Sequence, residues 1–259
     1  MLVTSGFEVR KEQIIKDPIS NISIDWLTDD ICIFPSENDG IRIVQRTNDK
    51  FPDTKLFYSE KNQQDLLIID GRKRTMKIGF NFYRTRLEVY LPQKQWNSLS
   101  ISTTGGQVKV KDLNVLHCKC QITSGKADLS GRMEELDLRT VGSKITGDHL
   151  DVGQLNINST SSKVEITGKF VEIESRLTGR GITISSEIAP ERIRSVSTGA
   201  QVMVSIPDND GFEFKFKKLS GSFKCDFPLV SDGKHLIYLN GKRKYSSEVR
   251  GGQFTLRKR

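Results

Sequence analysis

Long hydrophobic runs are missing from this 259-residue chain. The longest aliphatic run is Leu66-Leu67-Ile68-Ile69, far short of the roughly 18 residues a membrane-spanning helix needs, so no transmembrane segment is expected. The opening residues, Met1-Leu2-Val3-Thr4-Ser5-Gly6-Phe7-Glu8, carry no basic stretch followed by an apolar core, so no export signal is expected there. Proline is scarce, with 7 residues, and no low-complexity tract is present, which excludes a disordered chain. The three histidines, His117, His149 and His235, are scattered, whereas a metal site needs several convergent ligands. The four cysteines, Cys32, Cys118, Cys120 and Cys225, form no CxxC pair, so neither a zinc ribbon nor a redox motif is indicated. A phosphate-binding GxxxxGK[ST] and a GxSxG nucleophile elbow are both absent. No metal, cofactor or small-molecule substrate is expected, and the chain is not expected to be an enzyme.

Charge is present, but unevenly placed. Residues 1–90 and 91–210 each carry 14 Lys/Arg and 14 Asp/Glu, whereas residues 211–259 carry 12 against 4, so 12 − 4 = +8 is the whole net charge. The candidate contacts for an anionic partner are therefore Lys215, Lys217, Lys218, Lys242, Arg243, Lys244, Arg257, Lys258 and Arg259. Such an end suits membrane headgroups, an anionic wall polymer or nucleic acid. Phe214 and Phe216 alternate with Lys215 and Lys217. That pattern fits base stacking with cationic help, or more simply an inward Phe ladder with outward lysines.

The chief positive signal is an internal repeat. The stretch Leu99-Ser-Ile101 … Val108-Lys-Val110 returns as Cys118-Lys-Cys120 … Ala127-Asp-Leu129, then as Leu136-Asp-Leu138 … Ile145, then as Leu155-Asn-Ile157 … Val164-Glu-Ile166. The shifts are 19, 18 and 19 residues, and the two inward pairs are always seven positions apart across the turn, as from Ile101 to Val108. The pattern then loosens. Val171-Glu-Ile173 precedes Ile182-Thr-Ile184 with two extra residues at the turn; Val196, Phe214-Lys-Phe216 and Val249 open the next units in sequence. Apolar residues at i and i+2 place two side chains on one face of a short strand. Ser, Thr and Gly between the strands supply a turn, through hydroxyl bonds to the backbone and through positive φ. Stacking such coils at about 4.8 Å lets each strand pair with its equivalents and builds apolar ladders inside. On this register Cys118, Cys120 and Cys225 occupy inward rungs and read as buried free thiols.

The expected fold is all-β: a single-stranded right-handed β-solenoid forming one domain over residues 1–259. Residues 91–259 supply coils of about 18–19 residues. Residues 1–90 supply an N-terminal β capping region, with strands at Ile22–Trp26, Ile31–Ile33, Ile41–Ile43, Leu66–Ile69 and Leu87–Leu91, a short turn at Asp39-Gly40 and an aromatic hairpin or loop at Gly79-Phe80-Asn81-Phe82-Tyr83. A two-sheet sandwich also fits short strands with regular turns, but it gives no reason for a fixed period.

The turn motifs Thr104-Gly105-Gly106, Thr123-Ser124-Gly125, Ser159-Thr160-Ser161, Leu177-Thr178-Gly179, Ser197-Thr198-Gly199 and Leu219-Ser220-Gly221 carry a resemblance. With the repeated strands around them, the chain resembles the bacterial "putative adhesin" domain family, a family of unknown function. The resemblance covers nearly the whole chain. It implies a β-solenoid without catalytic residues, acting as an interaction or scaffold module linked to the cell envelope and envelope stress. Its partner would be a protein or an anionic envelope polymer, with nucleic acid a weaker third option. The alternative is a carbohydrate-active or carbohydrate-binding β-helix, in which corner carboxylates such as Asp112, Asp128, Glu134, Glu135, Asp148 and Asp151 line a groove.

Overall fold

A computed structural model describes residues 7–48, 51–75 and 83–259. The chain begins with β1 (Glu8–Ile15), β2 (Asn21–Trp26), β3 (Asp30–Ser36) and β4 (Ile41–Thr47). It continues with β5 (Tyr58–Asn62), β6 (Asp65–Ile69), β7 (Thr85–Pro92) and β8 (Gln95–Thr103), with two short 3-10 turns flanking β5 and β6. The body consists of β9 (Gln107–Thr123), β10 (Lys126–Val141), β11 (Lys144–Thr160), β12 (Lys163–Thr178), β13 (Gly181–Ser186) and β14 (Arg192–Ile206). The chain closes with β15 (Gly211–Cys225), β16 (Val230–Ser231), β17 (Leu236–Leu239) and β18 (Arg243–Lys258). All eighteen belong to one continuous, mostly parallel hydrogen-bonded sheet that wraps as a β-solenoid.

The expected register holds through the body. Leu99 pairs with Cys118, Cys118 with Leu136, and Leu136 with Leu155; across the turn Val108 pairs with Ala127, Ala127 with Ile145, and Ile145 with Val164. All of these side chains are buried. The segment that closes each coil, beyond the two strands of the repeat, is a third inward side: Trp96, Val115, Met133, Val152 and Phe170 stack in register and are buried.

The turn between the first two sides repeats a left-handed residue at one column: Ser124, Gly142, Ser161, Gly179, Gly199 and Gly251, with φ between 52° and 81°. Four of these six are glycine, which adopts this conformation freely. In the next column, serine hydroxyls bond the neighbouring backbone: Ser143 Oγ donates to the Ile122 and Val141 carbonyls at 3.0 Å, and the Gly125 and Ser143 amides donate to the hydroxyls of Ser143 and Ser162.

Three sequence expectations are corrected. First, Val171 is not an inward rung. It is 42% exposed, and Ile173 pairs with Leu155 and Ser175 with Ile157. Ser175 to Ile182 is again seven residues, so no extra residues enter that turn. A polar inward residue concealed the true register; Ser175 Oγ bonds Ser195 Oγ at 3.0 Å inside the coil. Second, the short turn expected at Asp39-Gly40 is present, but the strands it joins are not neighbours in the sheet. β3 and β4 each pair with β7, which lies between them. Third, the coils do not stack in chain order at either end. At the C-terminal end β18 pairs with β14 on one side and β15 on the other, so the last strand is the penultimate coil and β15 is outermost. At the N-terminal end β2 lies between β6 and β8, and β3 between β7 and β9. The first coil in sequence is therefore the second in space. Ile24 to Ile31 keeps the seven-residue spacing of the repeats. The aromatic hairpin or loop expected at residues 79–83 lies, apart from Tyr83, outside the described residues.

Both outermost coils are covered by antiparallel strands. β5 covers β6, β4 covers β7 with β1 beyond it, and β17 covers the start of β15. Unpaired edge strands invite end-to-end association, and these short reversals occupy much of the exposed edges. A buried ion cluster locks the N-terminal outer coil to its neighbour. The Arg72 guanidinium bonds Asp70, Asp29 at 2.7 Å and the Thr28 carbonyl at 2.9 Å, with Arg72 and Asp70 almost fully buried.

Candidate functional site

The basic residues expected to meet a partner are distributed around the last two coils. Lys215, Lys217 and Lys218 stand on β15, Lys242 immediately before β18, and Arg243 and Lys244 at its start. The register places Arg243 beside Phe212 and Lys244 beside Glu213, so these two groups adjoin. Arg257, Lys258 and Arg259 lie beyond the turn, at the end of the second side, next to Ser205 and Ile206.

Four of the nine are neutralised locally. Arg243 pairs with Asp210 and lies 3.7 Å from Glu191; Lys244 contacts Glu213 at 2.6 Å, Lys258 contacts Asp208 at 2.6 Å, and Lys217 lies 3.8 Å from Glu248. These contacts hold the Glu213 carboxyl below its usual value through Lys244, and that of Asp208 through Lys258 and the Tyr238 hydroxyl. Among the described residues, Lys215, Lys218, Lys242, Arg257 and Arg259 have no carboxylate within ion-pair distance, and Lys215, Lys218, Lys242, Arg257 and Arg259 are all exposed.

The phenylalanines between the lysines belong to the core. Phe214 is buried and stacks on Phe223 at 4.6 Å, Phe216 is half-buried against the same ring at 5.1 Å, and Phe212 stacks on Tyr245 at 4.7 Å. Large rings close the end of the interior where the coils stop, leaving the lysines outward.

The corner carboxylates make separate contacts. Asp112 accepts from Ser130 Oγ at 3.0 Å, Asp128 pairs with Lys111, Glu135 faces His117 at 3.3 Å, and Asp148 faces His149 at 3.2 Å. Glu134 and Asp151 line an open recess of about 590 Å³ on the third side, together with Glu172, Arg132 and Gln154. Among the described residues, no group of three His, Cys, Asp or Glu is placed to hold a metal ion. Cys32, Cys118 and Cys120 are buried free thiols and Cys225 is half-buried. The Cys120 thiol is pushed well above its usual value, first by its hydrogen bond with Cys118 and then by burial. Burial pushes Cys225 up to about 11. No helix among the described residues is long and apolar enough to cross a membrane.

Sequence reasoning missed one basic feature. Lys126, Lys144 and Lys163 are register partners on three consecutive coils, each just before the first inward residue of the second side. Their identical place in the repeats, before Ala127, Ile145 and Val164, was the available signal.

The family described as Toastrack DUF4097 matches residues 19–249. Among solved structures, the chain is similar to a "putative adhesin" from Bacteroides fragilis, at 12% identity and TM-score 0.51, covering 96% of this chain and 97% of that one. A "putative adhesin" from Parabacteroides merdae aligns at 11% identity and TM-score 0.46 over 97% of both chains. A "putative cell adhesion protein" from Clostridium sporogenes aligns at 11% identity and TM-score 0.31, covering 97% of this chain and 100% of that one. At 12% identity the Bacteroides fragilis likeness is one of fold. No curated protein matches the chain.

Proposed function

The chain belongs to the Toastrack DUF4097 family, and from that premise we propose that it is a non-catalytic, adhesin-like interaction module of the bacterial cell envelope. We read residues 1–259 as one structural unit whose distal coils meet an anionic envelope polymer. The observation that carries this reading is the set of uncompensated cations at one end of a capped solenoid: Lys215, Lys218, Lys242, Arg257 and Arg259. Placed on hydrogen-bonded coils rather than on a loose tail, they present fixed charge with little conformational entropy left to lose on binding. The name of the Bacteroides fragilis protein supports an adhesive role.

The test is co-sedimentation of the full chain with cell-wall sacculi that retain their anionic polymers, compared with sacculi stripped of them. The parent protein is expected in the pellet with the former only, and K215Q/K218Q/R257Q/R259Q in the supernatant. Equal sedimentation of parent and variant refutes the distal-end contact. Release of soluble glycan fragments, abolished by Glu134→Gln, would make the protein an enzyme instead.

A further inference from the structure

We propose that the turn corner bearing Lys126, Lys144 and Lys163 is a second binding surface, a groove for a linear acidic polysaccharide lying along the coil axis. The inference rests on reading the chain as an interaction module but assigns the contact to a different surface.

The register defines one outward column across eight coils: Gln107, Lys126, Lys144, Lys163, Gly181, Gln201, Gln253 and Ser222. It holds three consecutive cations and no carboxylate. Like charges directly opposite on paired strands destabilise a sheet, so three in a row work against the fold. On other outward columns of the body, cations are ion-paired, as Lys111 is with Asp128, Arg139 with Asp137 and Arg176 with Glu174, or have a carboxylate as register neighbour, as Lys119 has Asp137, Arg132 and Lys169 have Asp151, and Arg194 has Glu174. In the column only Lys163 has such a partner, Glu165 at 2.8 Å. Among the described residues, Lys126, Lys144 and the adjacent Arg180 have no carboxylate within ion-pair distance.

The column is also recessed. Arg180, exposed and left-handed at φ 35°, stands between two open hollows. One, of about 460 Å³, is lined by Lys126 and Lys144 and by Asp30, whose carboxylate is paired with Arg86 at 3.1 Å; the other, of about 440 Å³, by Lys163, Gly181, Gln201 and Gln253. Gly181 lines the second hollow without a side chain, and none fits there, since a Cβ would lie 2.4 Å from the Gln201 carbonyl oxygen.

The chemistry of the occupant follows. Cations about 4.8 Å apart fit a polymer with one negative group per repeat of similar length. The amides of Gln201 and Gln253 and the hydroxyls of Thr183 and Thr255 around the second hollow suit a partner rich in hydroxyl groups. A polyuronate meets both conditions. The column has no aromatic ring, which removes the stacking platform on which single-stranded nucleic acid relies.

The experiment titrates the full chain with polygalacturonate, with the same polymer methyl-esterified, and with single-stranded DNA, at low and physiological salt. Parent, K126Q/K144Q/K163Q and K215Q/K218Q are compared. The parent is expected to bind polygalacturonate and not the ester. The column variant should lose at least tenfold in affinity, with a smaller salt dependence, while melting no lower than the parent because repulsion has been removed. The distal variant should lose less affinity than the column variant and keep its preference for the free acid over the ester. Absence of parent binding, equal binding by the column variant, or tighter binding of DNA than of polygalacturonate overturns the inference. Binding lost only in K215Q/K218Q overturns it while supporting the distal contact.

Discussion

Replacing Arg72 by Met keeps most of the side-chain volume and removes the guanidinium that joins the N-terminal outer coil to its neighbour. Arg72 is 3% exposed and Asp70 0%. The guanidinium satisfies Asp70 through Nε and Nη2, bonds Asp29 at 2.7 Å, and caps the Thr28 carbonyl at 2.9 Å. In Arg72→Met the Asp70 carboxylate stays buried, with only the Leu27 amide at 3.2 Å and its near neighbour, the residue-72 amide, at 3.0 Å as donors. Breaking a buried pair from one side costs about 3–5 kcal/mol, against a total stability of about 5–15 kcal/mol for a typical protein. At about 2–4 °C per kcal/mol for a chain near this size, the melting temperature should fall by about 6–20 °C. Solenoid coils contact only their neighbours, so the loss should begin at that end. Hydrogen exchange should show Leu66, Ile68, Leu87 and Val89 losing protection before Ile145 or Val164. Asp70→Asn combined with Arg72→Met should recover part of the loss, since the uncompensated charge is gone. A single variant that melts within about 1 °C of the parent, with β6 and β7 fully protected, would refute the argument.

Other consequences can be checked as directly. Ile157→Asp buries a charge in a rung only 3% exposed and should destabilise strongly. Val171→Asp should be tolerated, because Val171 faces outward; equal thermal melts for the two variants would contradict the register. The distal coils should loosen in acid. Glu213, Asp208, Asp232 and Glu248 are all held below their ordinary values of 4.5, 3.8, 3.8 and 4.5, chiefly by Lys244, by Lys258, by the His235 and Lys234 amides, and by Arg250. A carboxyl depressed in the folded state stabilises above its unfolded value and loses that contribution as pH falls through the folded one. Exchange protection of β15, β17 and β18 should therefore fall below about pH 4, ahead of the body; protection in these strands that is flat from pH 6 to 3 would count against the pairs. Cys32, Cys118 and Cys120 should resist a disulfide reagent at pH 8 until denaturant is added, and rapid labelling of Cys118 or Cys120 in the native protein would show that the rung is not closed.

The body of the fold was legible because its inward rungs are aliphatic and its turns repeat. Leu99, Cys118, Leu136 and Leu155 read directly as one ladder, and they form one. Legibility failed where an inward residue is polar. Ser175 sits where Ile157 sits one coil earlier, and hydrophobicity alone puts Ile173 in its place and Val171 in that of Ile173. The order of the end coils was not legible at all. Which coil is outermost depends on edge pairing, and the same alternating pattern suits any position in the stack. The basic end was legible as charge but not as geometry, since pairing with Asp208, Asp210 and Glu213 depends on β18 returning beside β15. Removing residues 211–259 would strip a coil from within the stack, so charge substitutions are the cleaner probe of that end. The lysine column was visible in the aligned repeats. Its meaning came from the stacking, which places like charges on adjacent rungs.

The order of the last coils decides which side chains form the distal end, and one distance measurement tests it. Lys119, Asp137, Asn156, Glu174, Arg194, Ser246 and Lys215 form a single outward column in that spatial order. Spin labels on cysteine at 119 and 246 should be five rungs apart, about 24 Å, and labels at 119 and 215 six rungs apart, about 29 Å. Pulsed electron resonance on the two doubly labelled proteins should give the longer distance for the 119/215 pair. The longer distance for 119/246 would mean that the coils stack in chain order and that β18, not β15, forms the end of the solenoid.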